Sequence, residues 1–133
     1  MKISSKTYYG LKALSFLAQT QGLVSAREIA EKEDIPHEYL EKIFQSLRKG
    51  GFVQSHRGAG GGYELAHNAK DISLSDVFAE LEGPFFDIPC FGTGCPKEST
   101  CSTKDVWHQV NTMIDTSLSQ ITLHDILSKK HII

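Results

Sequence analysis

The sequence lacks any run of about 20 apolar residues, the length needed to cross a bilayer. Its 133 residues also show no charged-then-apolar leader of the kind that directs export. We therefore expect no membrane contact and a cytoplasmic location, where thiols stay reduced. Hydrophobic residues make up 40% of the chain and charged residues 23%, which is ordinary for a single folded domain.

Signatures of enzyme chemistry are also missing. The six histidines stand in no recognisable nucleophile–base or His–carboxylate pattern: His37, His56, His67, His108, His124 and His131. The glycine-rich run at 58–62 lacks the following Lys-Ser/Thr and helix of a nucleotide phosphate loop. The sequence therefore favours a binding protein over an enzyme.

Positive charge is concentrated in the first part of the chain. Residues 1–60 carry nine Lys and Arg against six acidic residues, whereas the remainder carries five against ten. A basic part on an acidic body favours nucleic acid as the partner, and the motifs below make it double-stranded DNA.

The first predicted helix spans 7–21. Tyr8, Leu11, Ala18 and either Leu14 or Ser15 recur at helical spacing, so we expect them to form its core face.

A helix-turn-helix pattern follows. Ser25 and Glu28 stand at capping-box spacing before a short helix over 26–33. Pro36 then suits the first turn of a longer helix over 36–49, which Gly50 and Gly51 end. A short helix, a tight turn and a longer helix are typical of this motif.

Two short strand patterns come next, at 52–57 and 63–66, with the glycine-rich run between them. A hairpin directly after a helix-turn-helix is a wing. Because glycine has no Cβ, this linker can approach a phosphate backbone closely. The predicted fold class is mainly α with a small β-hairpin wing, a winged helix-turn-helix over 1–83.

The candidate DNA-binding residues lie on the second helix of the motif and on the wing. Its exposed face offers side chains suited to base edges, at His37, Glu38, Glu41, Lys42 and Gln45. Arg48 and Lys49 suit phosphates, which position without specifying. At the wing, Arg57 suits a minor groove, and Gly58, Gly60 and Gly61 permit close approach.

A further helix, capped by Ser73 and running to about Glu82, leads into a loop over 84–103. A long helix over 104–119 begins the last segment, 104–133, and a short capped helix follows. An apolar stripe on the long helix steps by three and four residues, at Trp107, Val110, Ile114 and Leu118. We expect this stripe to form a homodimer interface; packing back on its own domain is the alternative.

The only three cysteines, Cys90, Cys95 and Cys101, lie in the loop. Their odd number argues against a disulfide framework. Soft thiolates at short spacing suit zinc or an iron–sulfur cluster. Zinc completed by His108 would make a closed structural site, and unligated redox-sensing thiols are a third possibility.

Several segments together resemble a known family: 1–4 (MKIS), 9–14 (YGLKAL), 35–36 (IP), 39–43 (YLEKI), 47–51 (LRKGG) and 57–63 (RGAGGGY), followed by the cysteine loop. The sequence is similar to the Rrf family of bacterial winged-helix regulators, which includes IscR-like and NsrR-like iron–sulfur sensors. The resemblance implies a homodimeric transcription regulator or repressor. Its three cysteines would hold a 2Fe–2S or 4Fe–4S cluster that senses cluster supply, oxygen, redox state or nitric oxide.

The resemblance leaves the fourth cluster ligand open. IscR-like proteins have a His three residues after the last cysteine, where this chain has Lys104. Some NsrR-like proteins use an Asp near the N-terminus, where this chain has Tyr8. The candidates are Asp105, His108 and Tyr8, or a group from a partner subunit or small molecule. We favour an oxygen or weakly held ligand, because a labile position suits a sensor.

Overall fold

The computed structural model describes residues 2–91, 95–97 and 99–128. They form a mainly helical fold with one antiparallel hairpin, so the predicted fold class is confirmed. The elements are α1 (Ser5–Gln19), α2 (Ala26–Glu33), α3 (His37–Lys49), β1 (Val53–His56), β2 (Gly62–Leu65), α4 (Leu74–Leu81), α5 (Lys104–Ser119) and α6 (Leu123–Leu127). Short 3₁₀ turns, Ala69–Asp71 and Pro89–Phe91, precede α4 and α5. Within these described ranges, no helix is both long and apolar enough to cross a membrane.

Cap residues account for the observed helix ends. The Ser4 side chain accepts a hydrogen bond from the Thr7 N–H, so α1 begins two residues before the predicted start. Ser25 caps α2 in the same way, but the Glu28 carboxylate pairs with Lys32 at 3.2 Å. A complete capping box forms instead at the start of α6, between Thr122 and Asp125.

The core lies where α1, α3 and α4 meet. Its largest fully buried side chains come from five segments of the chain: Leu14, Ile29, Leu40, Ile43, Phe44, Leu47, Val77 and Leu123. Gly10 lets α1 and α4 approach closely, since a Cβ there would lie 2.4 Å from Leu81 Cδ1. Helix α6 closes the core against α1.

The predicted core face of α1 is wrong at Tyr8, whose side chain is 57% exposed. The buried positions include Thr7 and Gly10 beside Leu14 and Leu17, so a polar residue and a glycine occupy part of the inward face. A search for apolar spacing does not count Thr7 or Gly10 as core residues. It therefore placed Tyr8 on the buried face of α1 in their stead.

The hairpin is fastened to the segment before α2. Within it, Val53 pairs with Leu65 and Ser55 with Tyr63. Beyond it, Val24 exchanges both backbone hydrogen bonds with Tyr63, at 3.0 and 2.7 Å. A Cβ on Gly62 would lie 2.6 Å from the Val24 carbonyl oxygen, so this close approach requires glycine.

A carboxylate joins the start of α1 to the end of α4. Glu82 accepts hydrogen bonds from the Ser4 N–H at 3.0 Å, from the Ser4 hydroxyl at 2.8 Å and from the Thr7 hydroxyl. The Thr7 hydroxyl first, and then Ser4, hold the pKa of Glu82 below its ordinary value. We call these three residues the Glu82 clasp; it lies directly before Gly83, where the cysteine loop departs.

We expect the Glu82 clasp to make stability depend on pH. Because the folded-state pKa is lowered, its contribution is complete above the unfolded value of about 4.3 and is lost as pH falls through the folded value. In urea unfolding at pH 6, Glu82→Gln should therefore be less stable than the wild type by about 1 kcal/mol, and the gap should narrow below pH 4. Glu80→Gln, exposed on α4, is the matched control. A gap that is equal at pH 6 and pH 3.5 would contradict an ionised clasp.

Candidate functional site

The turn between α2 and α3 sets the direction of α3. Asp34 adopts the left-handed conformation, φ +55°, and its N–H bonds the Ala30 carbonyl. Aspartate tolerates this conformation better than most side chains. Ile35 is then buried, and Pro36, which has no N–H to leave unpaired, precedes the first turn of α3. These three residues build the helix-turn-helix predicted from the sequence.

Helix α3 buries one side and exposes the other. Leu40, Ile43, Phe44 and Leu47 are buried. The predicted DNA-facing residues His37, Glu38, Lys42, Gln45, Arg48 and Lys49 are all exposed. Glu41, the remaining candidate, is half-buried. The exposed side of α3 therefore carries donors and acceptors suited to base edges and phosphates.

Glu41 lies between His37, on the same helix, and Tyr63 of the wing. His37 Nε2 lies 3.3 Å from Glu41 Oε1, one helical turn away. Tyr63, from β2, lies close enough to the same carboxylate for the two groups to interact electrostatically. Burial first, and then the charge of Glu41, raise the pKa of Tyr63, because both disfavour the phenolate. The wing and α3 are thus joined through a side chain that the sequence placed among the base-reading candidates.

The wing tip continues the exposed face. Arg57, Gly58 and Gly60 are exposed, and both glycines have positive φ, +100° and +79°. Gly61 has a structural requirement of its own, since a Cβ there would lie 2.3 Å from the His56 carbonyl oxygen. At the base of the wing, Arg48 donates to the Ser55 hydroxyl at 3.4 Å. Four cations thus line α3 and the wing: Lys42, Arg48, Lys49 and Arg57.

The three cysteines lie between α4 and α5. Cys90 is in the 3₁₀ turn Pro89–Phe91, and all three thiols are free and half-buried. In the described part of the chain, no three His, Cys, Asp or Glu side chains lie close enough to hold a metal ion. The predicted ligands thus lie on one loop but not close enough together to bind one metal ion.

The donor chemistry nevertheless fits a thiophilic centre. Three thiols free of disulfides are the ligands preferred by zinc and iron–sulfur clusters. Metal binding is commonly coupled to the folding of the metal site. Cysteines that come together only when the metal binds are compatible with that coupling. Cys90, Cys95 and Cys101 are the residues that would hold such a centre.

Cys101 lies just before the start of α5. The Thr103 hydroxyl, 3.3 Å from the Cys101 sulfur, is the main cause of a lowered pKa of this thiol. The backbone N–H groups of Thr103 and Lys104 and the Lys104 charge act in the same direction. A lowered pKa favours the thiolate, which is the form that binds metals and reacts with oxidants.

The candidates for a fourth ligand lie in different places. His108 packs its ring edge on Phe91, with centroids 4.9 Å apart, and so lies beside the residue that follows Cys90. Asp105 is exposed in the first turn of α5, four positions after Cys101. Tyr8 is on α1, where it contacts Tyr9 and where the Lys12 ammonium lies 5.2 Å from its ring centroid.

Aromatic contacts attach the cysteine loop to α5. Phe86 stacks on Phe91 at 6.0 Å and meets Trp107 at 6.1 Å between ring centroids. His108 also packs on Phe91. Phe86 and Phe91, which lie on either side of Cys90 in the sequence, are therefore both held against side chains of α5. Helical and strand periodicity did not predict this aromatic cluster, because its phenylalanines lie in a loop. The only signal in the sequence was the number of phenylalanines close to Cys90: Phe85, Phe86 and Phe91.

Part of the exposed surface of α5 is apolar, in a different register from the predicted stripe. Val110, Ile114 and Leu118 are half-buried, because α5 packs against α4. Val106 is 52% and Met113 61% exposed, and Trp107 of the predicted set is also exposed. Val106, Val110 and Met113 stand at i, i+4 and i+7, so their place on one face of α5 could have been predicted from the sequence. We call these three residues the α5 stripe.

Comparison with known proteins places these features in one family. Residues 3–129 match the Rrf2 family, described as iron-dependent transcriptional regulators. The chain is 34% identical over 131 residues to the protein Rrf2 of Nitratidesulfovibrio vulgaris, covering 96% of this chain and 87% of that one.

Two solved structures are similar along almost the whole chain. The T. potens IscR structure is 39% identical, with a TM-score of 0.78, over 97% of this chain and 88% of that one. CymR, described as the global cysteine regulator of B. subtilis, is 31% identical, with a TM-score of 0.80, over 98% of both chains.

Proposed function

The chain belongs to the Rrf2 family of DNA-binding transcription regulators, and we propose that it binds an operator as a homodimer under the control of an iron–sulfur cluster in its cysteine loop. It is not an enzyme, as the sequence predicted. A transcription regulator meets its operator in the cytoplasm, and we place the chain there.

Helix α3 and the wing are the proposed DNA contacts. We assign base reading to the exposed side of α3, at His37, Glu38, Glu41, Lys42 and Gln45. We assign phosphate contacts to Arg48 and Lys49, and a groove contact to Arg57 with Gly58, Gly60 and Gly61. The observation that supports this assignment is that α3 buries only apolar residues and leaves every one of these polar side chains at least partly exposed.

The cysteine loop is the proposed sensor. Three free, half-buried thiols lie on one loop that connects the winged-helix part to α5, and this observation carries the proposal. When bound, a 2Fe–2S or 4Fe–4S cluster would supply a centre that reacts with oxygen or nitric oxide. The chain's own contribution is to hold it by Cys90, Cys95 and Cys101, with Asp105, His108 or Tyr8 as fourth-ligand candidates.

A thiol-based signal is the second candidate. The cysteines are not gathered in the structure, and the environment of Cys101 favours its thiolate. Such a thiol is more open to oxidation than an ordinary one. A structural zinc site in the same loop is the remaining alternative and would give a centre without redox response.

The α5 stripe is the proposed dimer interface, together with Trp107, Ile114 and Leu118. Val106, Trp107 and Met113 are exposed on a 16-residue helix whose other side already packs on α4. A second copy would cover them, and a two-fold dimer presents two reading helices to two half-sites about one helical turn apart.

We expect Arg57→Ala to weaken binding to a duplex enriched by the wild-type protein from a random pool. Loss of one phosphate or groove contact should reduce the slope of log affinity against log salt by about one. Titration by fluorescence anisotropy at several salt concentrations measures both effects. Lys70→Ala is the control, because it also removes one positive charge, but from the 3₁₀ turn that packs on α6. It should change neither the affinity nor the salt slope. Salt-insensitive binding would contradict the DNA contact.

We expect anaerobic reconstitution with iron and sulfide to give visible absorption that each of Cys90→Ala, Cys95→Ala and Cys101→Ala abolishes. Asp105→Ala, His108→Ala and Tyr8→Phe should each keep colour; the variant that removes the fourth ligand should shift the spectrum or lose the cluster faster. Helical circular dichroism is the control for folding. A colourless wild type that retains zinc, or whose DNA binding responds to peroxide alone, would favour an alternative over the cluster.

We expect Met113→Glu to dissociate the dimer without unfolding the protomer, because Met113 is 61% exposed in the single chain. A charge buried at the interface costs roughly 3 kcal/mol, which raises the dimer dissociation constant about 100-fold. Sedimentation over a concentration series measures this constant. Ser119→Glu, on another face of α5, should remain dimeric. A fully dimeric Met113→Glu would place the interface elsewhere.

A further inference from the structure

Two histidines lie on the elements assigned to DNA contact, and each lies against a glutamate. On α3, His37 Nε2 is 3.3 Å from Glu41 Oε1, one helical turn along. On the wing, His56 Nε2 at the end of β1 is 2.9 Å from Glu64 Oε1 on β2. Both distances are short enough for an ion pair once the imidazole carries a proton. The same arrangement therefore occurs twice on the proposed DNA-binding surface.

All four of these side chains are open to solvent. Between 40% and 47% of each is exposed, so protons of the medium and phosphates of a duplex can reach both imidazoles. Histidine is the side chain that ordinarily changes its charge between about pH 5 and pH 8. Exposed ion pairs are weak, so a phosphate can join or replace the glutamate beside the imidazole.

Charge on this surface is nearly balanced. The segment 37–65 comprises α3 and the wing, and its charged residues are Lys42, Arg48, Lys49 and Arg57 against Glu38, Glu41 and Glu64. Four positive charges against three negative ones leave a surplus of one when both histidines are neutral. Protonation of both histidines raises this surplus to three. Because phosphate binding depends on positive charge, two protons change this surface substantially.

Both histidines have charged neighbours on their own elements. His37 is the first residue of α3, so it has the partial positive charge of the helix end beside it as well as the Glu41 carboxylate. His56 is followed by Arg57, and Glu64 faces it across the hairpin. At each histidine, one carboxylate thus stands against one positive group. A phosphate that approaches adds a further negative charge, and this charge favours the imidazolium.

The elements packed against α3 bring further titratable groups. On α2, Glu28 and Lys32 pair at 3.2 Å. On α1, the Lys12 ammonium lies over a tyrosine ring, and on α4, Glu80 lies beside the C-terminal end of α3. On β2, burial raises the pKa of Tyr63, so its hydroxyl carries no charge near neutral pH. None of these groups forms an ion pair with either histidine in the part of the chain that the structure describes.

We propose that the regulator takes up protons at His37 and His56 when it binds DNA, so that its affinity for the operator rises as pH falls from about 8 to about 6. The sign follows from linkage, because phosphates favour the imidazolium and protonation therefore favours binding by the same factor. His56 and Glu64 join the DNA-contacting surface in this way, although neither was predicted from the sequence to contact DNA. This role rests on the proposed use of α3 and the wing.

The first test is a titration of the duplex enriched by the wild type, followed by fluorescence anisotropy at constant ionic strength. We expect wild-type affinity to rise about 10-fold or more between pH 8 and pH 6, since one unit of pKa shift on binding corresponds to a factor of ten. His37→Gln and His56→Gln should each remove part of this rise, and the double variant most of it. His124→Gln, exposed on α6, is the matched control and should keep the full rise.

Glu64→Gln gives a second signature, which a purely structural role of the His56–Glu64 pair would not produce. Removal of a carboxylate beside the phosphates should strengthen binding at pH 8, where histidine is ordinarily neutral, by about threefold or more. The gain should be smaller at pH 6, where the imidazolium already offsets the carboxylate. Weaker binding of Glu64→Gln at both pH values would overturn the placement of this pair against DNA.

Calorimetry in buffers of different ionisation enthalpy counts the protons directly. Near pH 7, the wild type should take up about one proton per protomer on binding, and the double variant about none. If the wild type binds its selected duplex without proton uptake, or if the double variant keeps the wild-type rise, the proton linkage is overturned while the DNA-binding assignment stands. If the wild type enriches no duplex between about pH 6 and pH 8, the proposed function and the proton linkage both fail.

Discussion

The arrangement of the DNA-binding half depends on one close backbone contact, the pair of hydrogen bonds between Val24 and Tyr63. The contact is possible only because Gly62 has no Cβ to meet the Val24 carbonyl. It turns a two-stranded hairpin, which would be marginal alone, into part of the helix-turn-helix. With β2 held there, the Tyr63 ring reaches Phe44 and the core of α3. The wing, the turn and α3 therefore pack together as one part of the fold.

The cysteine loop connects this part of the fold to α5, the helix of the proposed dimer interface. At one end it leaves α4 directly after the Glu82 clasp, which ties α4 to the start of α1. At the other end it enters α5, with Phe86 and Phe91 packed on Trp107 and His108. A change in the spacing of the cysteines would pull on both attachments. One attachment leads into the core beneath α3, and the other leads to the α5 stripe.

Local signals in the sequence were sufficient for the elements but not for contacts between distant segments. The bounds of α5 and the order of helix-turn-helix and wing followed from caps, glycines and apolar spacing. Tyr8 was assigned to the core on apolar spacing, whereas the buried residue is its neighbour Thr7, whose hydroxyl donates to Glu82, 75 positions away. The stacking of Tyr63 on Phe44 likewise joins two elements whose packing the sequence does not display. The cysteine spacing predicted three ligands. It did not predict the conformation that the loop needs to bring the three thiols together.

Trp107 is the only tryptophan in the chain, and it lies on α5 against Phe86 of the cysteine loop. Its indole is therefore an intrinsic fluorophore where the cysteine loop meets α5, with no second indole to obscure it. Excitation that spares the four tyrosines reports this single position. Movement of the loop, approach of a coloured centre and burial by a partner subunit each alter its emission. The chain thus carries its own optical probe of the contact between the cysteine loop and α5.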